Sequence, residues 1–233
     1  MLIAIEGIDG AGKGTQSHLL QQRLRQLGLR VELLSFPRYG ETFFARSIAD
    51  YLNGKLGRLE SVDPHLPALL YAGDRLESRE LISRLSSAAD VVIFDRYVAS
   101  NLAHQAARVP AADRQAFIRW LAELEYDVYG LPQADLTIYL DVTVEIASAL
   151  IARKGARAYT PGADIHEANP AYLRECLDVY RALARDNLRG QWVTIDCTVD
   201  GGQMMSVSDV TATVWNHIEP AVSHALAPRE LPR

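Results

Sequence analysis

The sequence predicts an α/β fold, a five-stranded parallel sheet flanked by helices, from three observations. Residues 2–5, 31–35, 91–94, 136–140 and 192–195 are short apolar runs of the kind that form strands buried on both faces. Helical patterns separate them, which implies crossover connections and parallel pairing. The first run opens into a glycine-rich turn, and a helical pattern starts at Lys13, giving the order strand, loop, helix. The chain has 233 residues, 48% hydrophobic and 23% charged, enough for one large core. One domain is expected over residues 1–226. A frayed tail is expected at 227–233, where two prolines stand in little apolar pattern.

Bulk properties exclude several classes. A net charge of −5 makes no global electrostatic case for nucleic acid or an anionic membrane, so any phosphate binding must come from local clusters. The two cysteines, Cys176 and Cys197, form neither a metal-spaced pair nor a disulfide framework. No basic leader precedes the first strand, and no apolar run approaches membrane-spanning length. The expected location is cytoplasmic.

In chain order, the first loop comprises Gly7, Ile8, Asp9, Gly10, Ala11, Gly12, Lys13, Gly14 and Thr15. Gly7 to Gly12-Lys13 has the Walker A spacing. Glycines let successive N–H groups point inward at an anion, and the following helix adds its unpaired N–H groups and dipole. Lys13 brings a full charge to the outer phosphates. The hydroxyl residue expected next is Gly14, with Thr15 one place late. The first helix spans residues 13–27, with Leu19, Leu20, Leu24 and Leu27 as its stripe and Gly28 as its stop.

The second strand ends in Phe36-Pro37-Arg38-Tyr39. Ligands of open α/β sheets bind beyond the carboxyl ends of strands. Arg38 is placed there for an anion and two aromatics can flank a base, although a surface arginine in a proline turn reads the same way. Helices are expected over 43–52 and 64–86. Tyr71 and Arg75 share a face of the second. They suit a stacked base and a gripped phosphate, or equally a core-edge tyrosine with a solvated arginine.

Asp95, ending the third strand beside the loop strand, stands where Mg²⁺ is steered; a plain salt bridge to Arg96 is the alternative. A helix over 98–109 carries Ser100, Asn101, His104 and Gln105 as one polar stripe. A helix over 113–129 has an apolar face that suits core or a partner. The helix over 145–154 leads into a basic cluster with Arg153, Lys154 and Arg157, ending at Pro161-Gly162. That cluster suits a closing lid, about residues 153–166, or a solvated helix end. The next helix starts at 164–167 and runs to 187. The last spans 208–225, where Pro220 should kink or interrupt it.

Taken together, these residues resemble the thymidylate kinase family of P-loop kinases over almost the whole chain. The resemblance rests on Glu6 to Lys13, on Phe36-Pro37-Arg38, on Asp74-Arg75 and on Gly130-Leu131-Pro132. Its most specific part is the run Asp95-Arg96-Tyr97, Ser100, Asn101 and Ala103-His104-Gln105. It implies a P-loop kinase fold and Mg²⁺-dependent transfer of the γ-phosphoryl of ATP to dTMP, giving dTDP for dTTP synthesis. It also implies a homodimer. By the same resemblance, residues from Gly7 to Thr15 hold ATP, and Asp9 lies between the two nucleotides near the metal. Arg38 and Arg96 position the acceptor phosphate and the transferring group. Phe36, Tyr39, Tyr71, Arg75, Ser100, Asn101, His104 and Gln105 form the dTMP pocket. Asp95, with Asp9 and Thr15, serves Mg²⁺, and Arg153 and Arg157 close over ATP.

Three positions depart from the family pattern. Gly14 lacks the usual metal-ligating hydroxyl. His104 stands where a tyrosine is usual, which bears on sugar discrimination. Gly10 lacks the arginine some members carry, which shifts weight onto the lid. Two other readings compete. One is a kinase of AMP or of a deoxynucleoside, but Phe36-Pro37-Arg38 follows the second strand, and an arginine there suits an acceptor that already bears a phosphate. The other is a nucleotide-binding regulator without catalysis, against which stand Lys13, Arg38, Asp95 and Arg96.

Overall fold

All five side chains of β1 (Leu2–Glu6) are buried, as a strand covered on both faces requires. In the computed structural model, which describes residues 1–153, 169–199 and 202–226, β1 is the middle strand of a five-stranded sheet. The others are β2 (Val31–Ser35), β3 (Val91–Asp95), β4 (Leu136–Asp141) and β5 (Gln191–Asp196). Their order is β2-β3-β1-β4-β5, all parallel. The predicted runs are these strands, each within a residue of its observed ends. The chain moves to one side of β1 for β2 and β3, then crosses to the other for β4. The carboxyl ends on either side of β1 therefore open a crevice, the usual ligand position in such sheets.

Asp95 pairs with Ile5 on one side and Ser35 on the other, so the three carboxyl ends lie level. Two further bonds extend the ladder past them, Arg96 N–H to the Ile5 carbonyl (3.1 Å) and Phe36 N–H to the Asp95 carbonyl (3.0 Å). Helix α1 (Lys13–Gln26) packs on β1, β2 and β3, and against α9 (Val207–Leu226). Helix α8 (Pro170–Arg185) packs on β4 and β5 and against α5 (Val98–Ala106). No helix of the described residues is long and apolar enough to cross a membrane.

Several elements differ from expectation. The single helix over 64–86 is two, α3 (His65–Glu77) and α4 (Arg79–Ala88), joined at the buried Ser78. There φ is −90° and ψ −3°, off helical values. The cause is a serine hydroxyl bonding back to the Asp74 carbonyl (2.8 Å), a contact that bends helices. The helix over 113–129 is α6 (Arg114–Ala122) followed by a π-helical turn, Glu123–Val128. The Tyr129 N–H reaches back five residues to the Leu124 carbonyl (2.9 Å). That wider turn rotates Glu125 into the interior, where it is fully buried.

Helix α9 runs through Pro220 without interruption. The lost N–H bond is outweighed by burial of Val210, Val214, Trp215, Ile218 and Val222 along one stripe. A two-stranded antiparallel hairpin, β6 (Thr198–Val199) with β7 (Gln203–Met204), was not expected; its strands are too short to carry a pattern. The remaining helices are α2 (Phe43–Leu52) and α7 (Val144–Arg153). Most of the expected lid, with Arg157, and the tail at 227–233 lie outside the described residues, as does the side chain of Arg153.

Candidate active site

The loop after β1 is shaped by contact with the strands and helix beside it. Gly7 has φ +149°, and a Cβ there would lie 2.8 Å from the Leu140 carbonyl oxygen. Gly10 has φ +86°, and a Cβ there would collide with the Ala147 carbonyl of α7. The loop therefore cannot carry an arginine at position 10 in this conformation, which explains that departure. Helix α1 begins after Gly12 with no side-chain cap, so its first N–H groups face the loop mouth. Lys13 is buried, and its ammonium donates to the carbonyls of Gly7 (2.9 Å) and Ile8 (2.8 Å). Burial, and then the nearby Arg96 charge, lower its pKa to about 7.

Across the crevice, Arg96 is held between the loop and α5. Its φ of +68° is left-handed, a costly conformation for a residue with a Cβ. Nη2 pairs with Asp9 of the loop, and Nη1 donates to Ser100 Oγ at 3.2 Å. His104 Nε2 lies 3.5 Å from Nη1. Burial works against the guanidinium charge, but Asp9 and further anionic groups keep it well above its ordinary range.

Glu6, fully buried at the end of β1, braces this turn. It accepts from Tyr97 N–H (2.7 Å), Ser100 N–H (3.3 Å), Ser100 Oγ (2.6 Å) and Tyr180 OH (3.0 Å). Burial raises its pKa against those bonds. Tyr97 is buried and stacks on Phe94, centroids 4.3 Å apart.

A second polar cluster lies beneath Phe36. Arg75 is 1% exposed and pairs with the fully buried Glu125, Nε at 2.5 Å and Nη2 at 2.6 Å. Its guanidinium carbon lies 5.8 Å from the Phe36 ring centre. Asn101 Nδ2 donates to Glu125 Oε1 (2.8 Å) and to the Ala68 carbonyl (2.9 Å). Two acceptors fix the amide's orientation. Asn101 Oδ1 is then a buried acceptor with no hydrogen-bond partner among the described residues. Gln105 Nε2 is a buried donor in the same condition, its Oε1 accepting from Arg108. Native interiors seldom leave such groups unmet, so each points to a ligand or water.

The remaining predicted residues flank these clusters. Arg38 is held apart from Arg96, its N–H on Asp74 (3.0 Å), Nη1 on Ser78 Oγ (3.1 Å) and Nη2 on Glu41. Tyr39 and Tyr71 are half-buried against Ile48, Tyr51, Leu52 and Val62. Tyr71 thus departs from Arg75, which turns inward to Glu125. His104 is buried on α5. Asp95 is half-buried and is not bonded to Arg96, which has turned to Asp9. Thr15 is exposed on the first turn of α1.

The residues present fit a divalent cation. A Cβ at Gly14 would come within 3.1 Å of Asp95 Oδ2, so glycine clears the space this carboxylate faces. No group of three or more His, Cys, Asp or Glu side chains is placed to hold a metal among the described residues. Asp95 is one carboxylate facing that space, and Mg²⁺ takes one or two carboxylates and draws its other ligands from phosphates and water.

Sequence reasoning missed Glu125, Tyr172 and Tyr180 as parts of the site. Each lies far along the chain from its partner. The one local sign was Glu6, an acid at the end of an apolar strand.

A Walker A loop at the carboxyl ends of a parallel sheet, with arginines and a buried polar cluster across the crevice from it, is the arrangement of a P-loop kinase. The family described as thymidylate kinase matches residues 5–204. Thymidylate kinase of Mycobacterium tuberculosis is 36% identical over 204 residues, 88% of this chain and 95% of its own length. The human thymidylate kinase is 30% identical over 197 residues, 84% of this chain and 82% of its own. The solved structure of thymidylate kinase from Candida albicans shares the fold, with a TM-score of 0.71 at 23% identity over 96% of this chain and 92% of that one. The chain belongs to the thymidylate kinase family. It transfers a phosphoryl group from ATP to dTMP.

Proposed function

We propose that the two clusters divide this reaction between phosphate and base. The loop from Gly7 to Thr15 takes the ATP phosphates, Lys13 leaving two neutral carbonyls for a charged oxygen. Arg38 and Arg96 take the phosphate of dTMP and the group in transfer, and Asp9 orients Arg96. The pyrimidine lies between Phe36 and the Tyr39 and Tyr71 side, with Arg75 Nη1 donating to O4 and Asn101 Oδ1 accepting from N3–H. Ser100, His104 and Gln105 complete that pocket. In-line phosphoryl transfer needs alignment and charge stabilisation more than covalent chemistry, and these groups supply both.

Mg²⁺, held by Asp95 with Asp9 and Thr15 near it, neutralises phosphate charge when bound. The kinase unit spans residues 1–226 and works in the cytoplasm, where its two free buried thiols fit a reducing compartment.

The observation that carries the base assignment is the buried Asn101 Oδ1. N3-methyl-dTMP removes the only N–H the pyrimidine offers that acceptor. Its kcat/KM should fall by about 10²-fold or more against dTMP in a coupled ADP assay. Equal turnover of the two would remove Asn101 from the base.

Arg153 and Arg157 close over ATP as a lid in this reading, supported by the basic cluster that begins at the end of α7. Replacing both by alanine should lower kcat by about 10²-fold or more. An unchanged rate assigns the charge elsewhere. The homodimer is supported by Phe43, Leu66 and Leu69, exposed on the adjoining helices α2 and α3. Light scattering should give twice the 25.8 kDa chain mass, and a monomer at working concentration would refute it.

A further inference from the structure

Two acceptors meet Arg96 Nη1, and each has its own proton drawn away by a neighbour. Ser100 Oγ donates to Glu6 Oε2 (2.6 Å), which turns a hydroxyl lone pair toward Nη1. His104 is set in the same sense from α8. The Tyr172 hydroxyl lies 3.1 Å from the His104 main-chain oxygen and 2.9 Å from His104 Nδ1. A carbonyl oxygen only accepts, and a hydroxyl has one proton to give. That proton goes to the carbonyl, so the tyrosine oxygen accepts from Nδ1–H. A neutral imidazole protonated on Nδ1 carries its lone pair on Nε2, and Nε2 faces Arg96 Nη1 at 3.5 Å. The other tautomer would set N–H against N–H at Arg96 and lone pair against lone pair at Tyr172. Cys176 Sγ, 3.7 Å from Nδ1, also meets the Tyr172 hydroxyl, but sulfur is a weaker acceptor than the carbonyl and a weaker donor than Nδ1–H, so it does not reverse this.

We propose that Tyr172 is a positioning residue that locks His104 as the Nδ1–H tautomer, making Nε2 the acceptor that, with Ser100, orients the guanidinium of Arg96. Tyr172 and Tyr180 stand eight residues apart on α8, two turns along the face that meets α5. Tyr180 serves the serine side, donating to the same Glu6 that takes the Ser100 proton. The helix that begins at Pro170, just past the expected lid, thus fixes the polarity of both contacts to one arginine. This bears on the reaction only through the role assigned to Arg96 above; the tautomer itself does not depend on that role.

The test pairs spectroscopy with kinetics on the full chain. Long-range ¹H–¹⁵N spectra of histidine-labelled protein, with the His104 signals assigned by their loss in His104→Gln, should show a protonated Nδ1 and an unprotonated Nε2. Tyr172→Phe should mix or invert that pattern and lower kcat about tenfold, with KM for ATP unmoved. In a His104→Gln background, whose amide oxygen can accept from Arg96 without Tyr172, the same change should have no further effect.

An Nε2–H tautomer in the wild-type protein overturns the lock. The stated tautomer with kcat unmoved by Tyr172→Phe, while Arg96→Ala is crippled, overturns the positioning claim. If Arg96→Ala is also unmoved, the role assigned to Arg96 fails and the link to catalysis falls with it.

Discussion

Arg96→Ala is expected to lower kcat by about 10³-fold or more, with a far smaller change in melting temperature. The guanidinium stands where the sheet's carboxyl ends converge, between the loop carboxylate Asp9 and the hydroxyl of Ser100. Those contacts hold it in place before any substrate arrives, so in the proposed role it would stabilise charge in transfer without having to reorganise. The left-handed φ of this position is as costly for alanine as for arginine, so the turn's strain is the same in both proteins. The main-chain bond from residue 96 to Ile5 is kept as well. Arg96→Lys separates charge from shape, because lysine restores the charge without the planar fork, and only partial recovery is expected. Steady-state kinetics with both substrates varied will decide: a loss below tenfold in the alanine variant would remove Arg96 from the transfer step.

Glu125→Ala should cost about 3–5 kcal/mol of folding stability, read from urea unfolding. Arg75 and Glu125 are almost wholly buried, with side-chain exposures of 2% and 0%. Removing the carboxylate strands a guanidinium in the interior. It also takes one of two acceptors from the Asn101 amide, so KM for dTMP should rise in protein that remains folded. The double variant Arg75→Met with Glu125→Leu has no charge left to strand. It should recover most of the lost stability, since apolar replacement of a buried pair is often neutral. It should still bind dTMP poorly, since O4 has lost its donor. A cost below about 1 kcal/mol for Glu125→Ala would mean that water reaches the pair and that it is not the buried anchor described above.

Much of the fold was legible because its signals are local. The strands are apolar runs, and the loop's glycines and Lys13 stand at fixed spacing. The stripe of Ser100, Asn101, His104 and Gln105 is a helical period read directly. What was not legible depends on pairings across the chain. Glu125 meets Arg75 fifty residues away, and only the π-helical turn brings it inward. Nothing in the apolar pattern of 113–129 announces one residue of extra winding. The break at Ser78 likewise comes from a serine hydroxyl turning back on its own helix. Tyr172 and Tyr180 carry no local sign of a role; both are core residues whose hydroxyls and rings reach the site from α8. The empty place at Gly14 looked like a missing ligand, and it gains a reason only once Asp95 is seen beside it.

Glu6 stands one residue before the phosphate loop, yet every side-chain bond it makes is to the turn and helix after β3 or to α8. In the proposed reading one carboxylate therefore gauges the spacing between the loop and the arginine turn, while the base is read by Asn101, the next residue of α5 after Ser100, with Arg75 of α3 and their shared partner Glu125. The gauge and the reader share no hydrogen bond. An engineer seeking a kinase for a different pyrimidine could redraw the reader and leave the gauge alone, carrying the same phosphoryl-transfer distance over to a new acceptor.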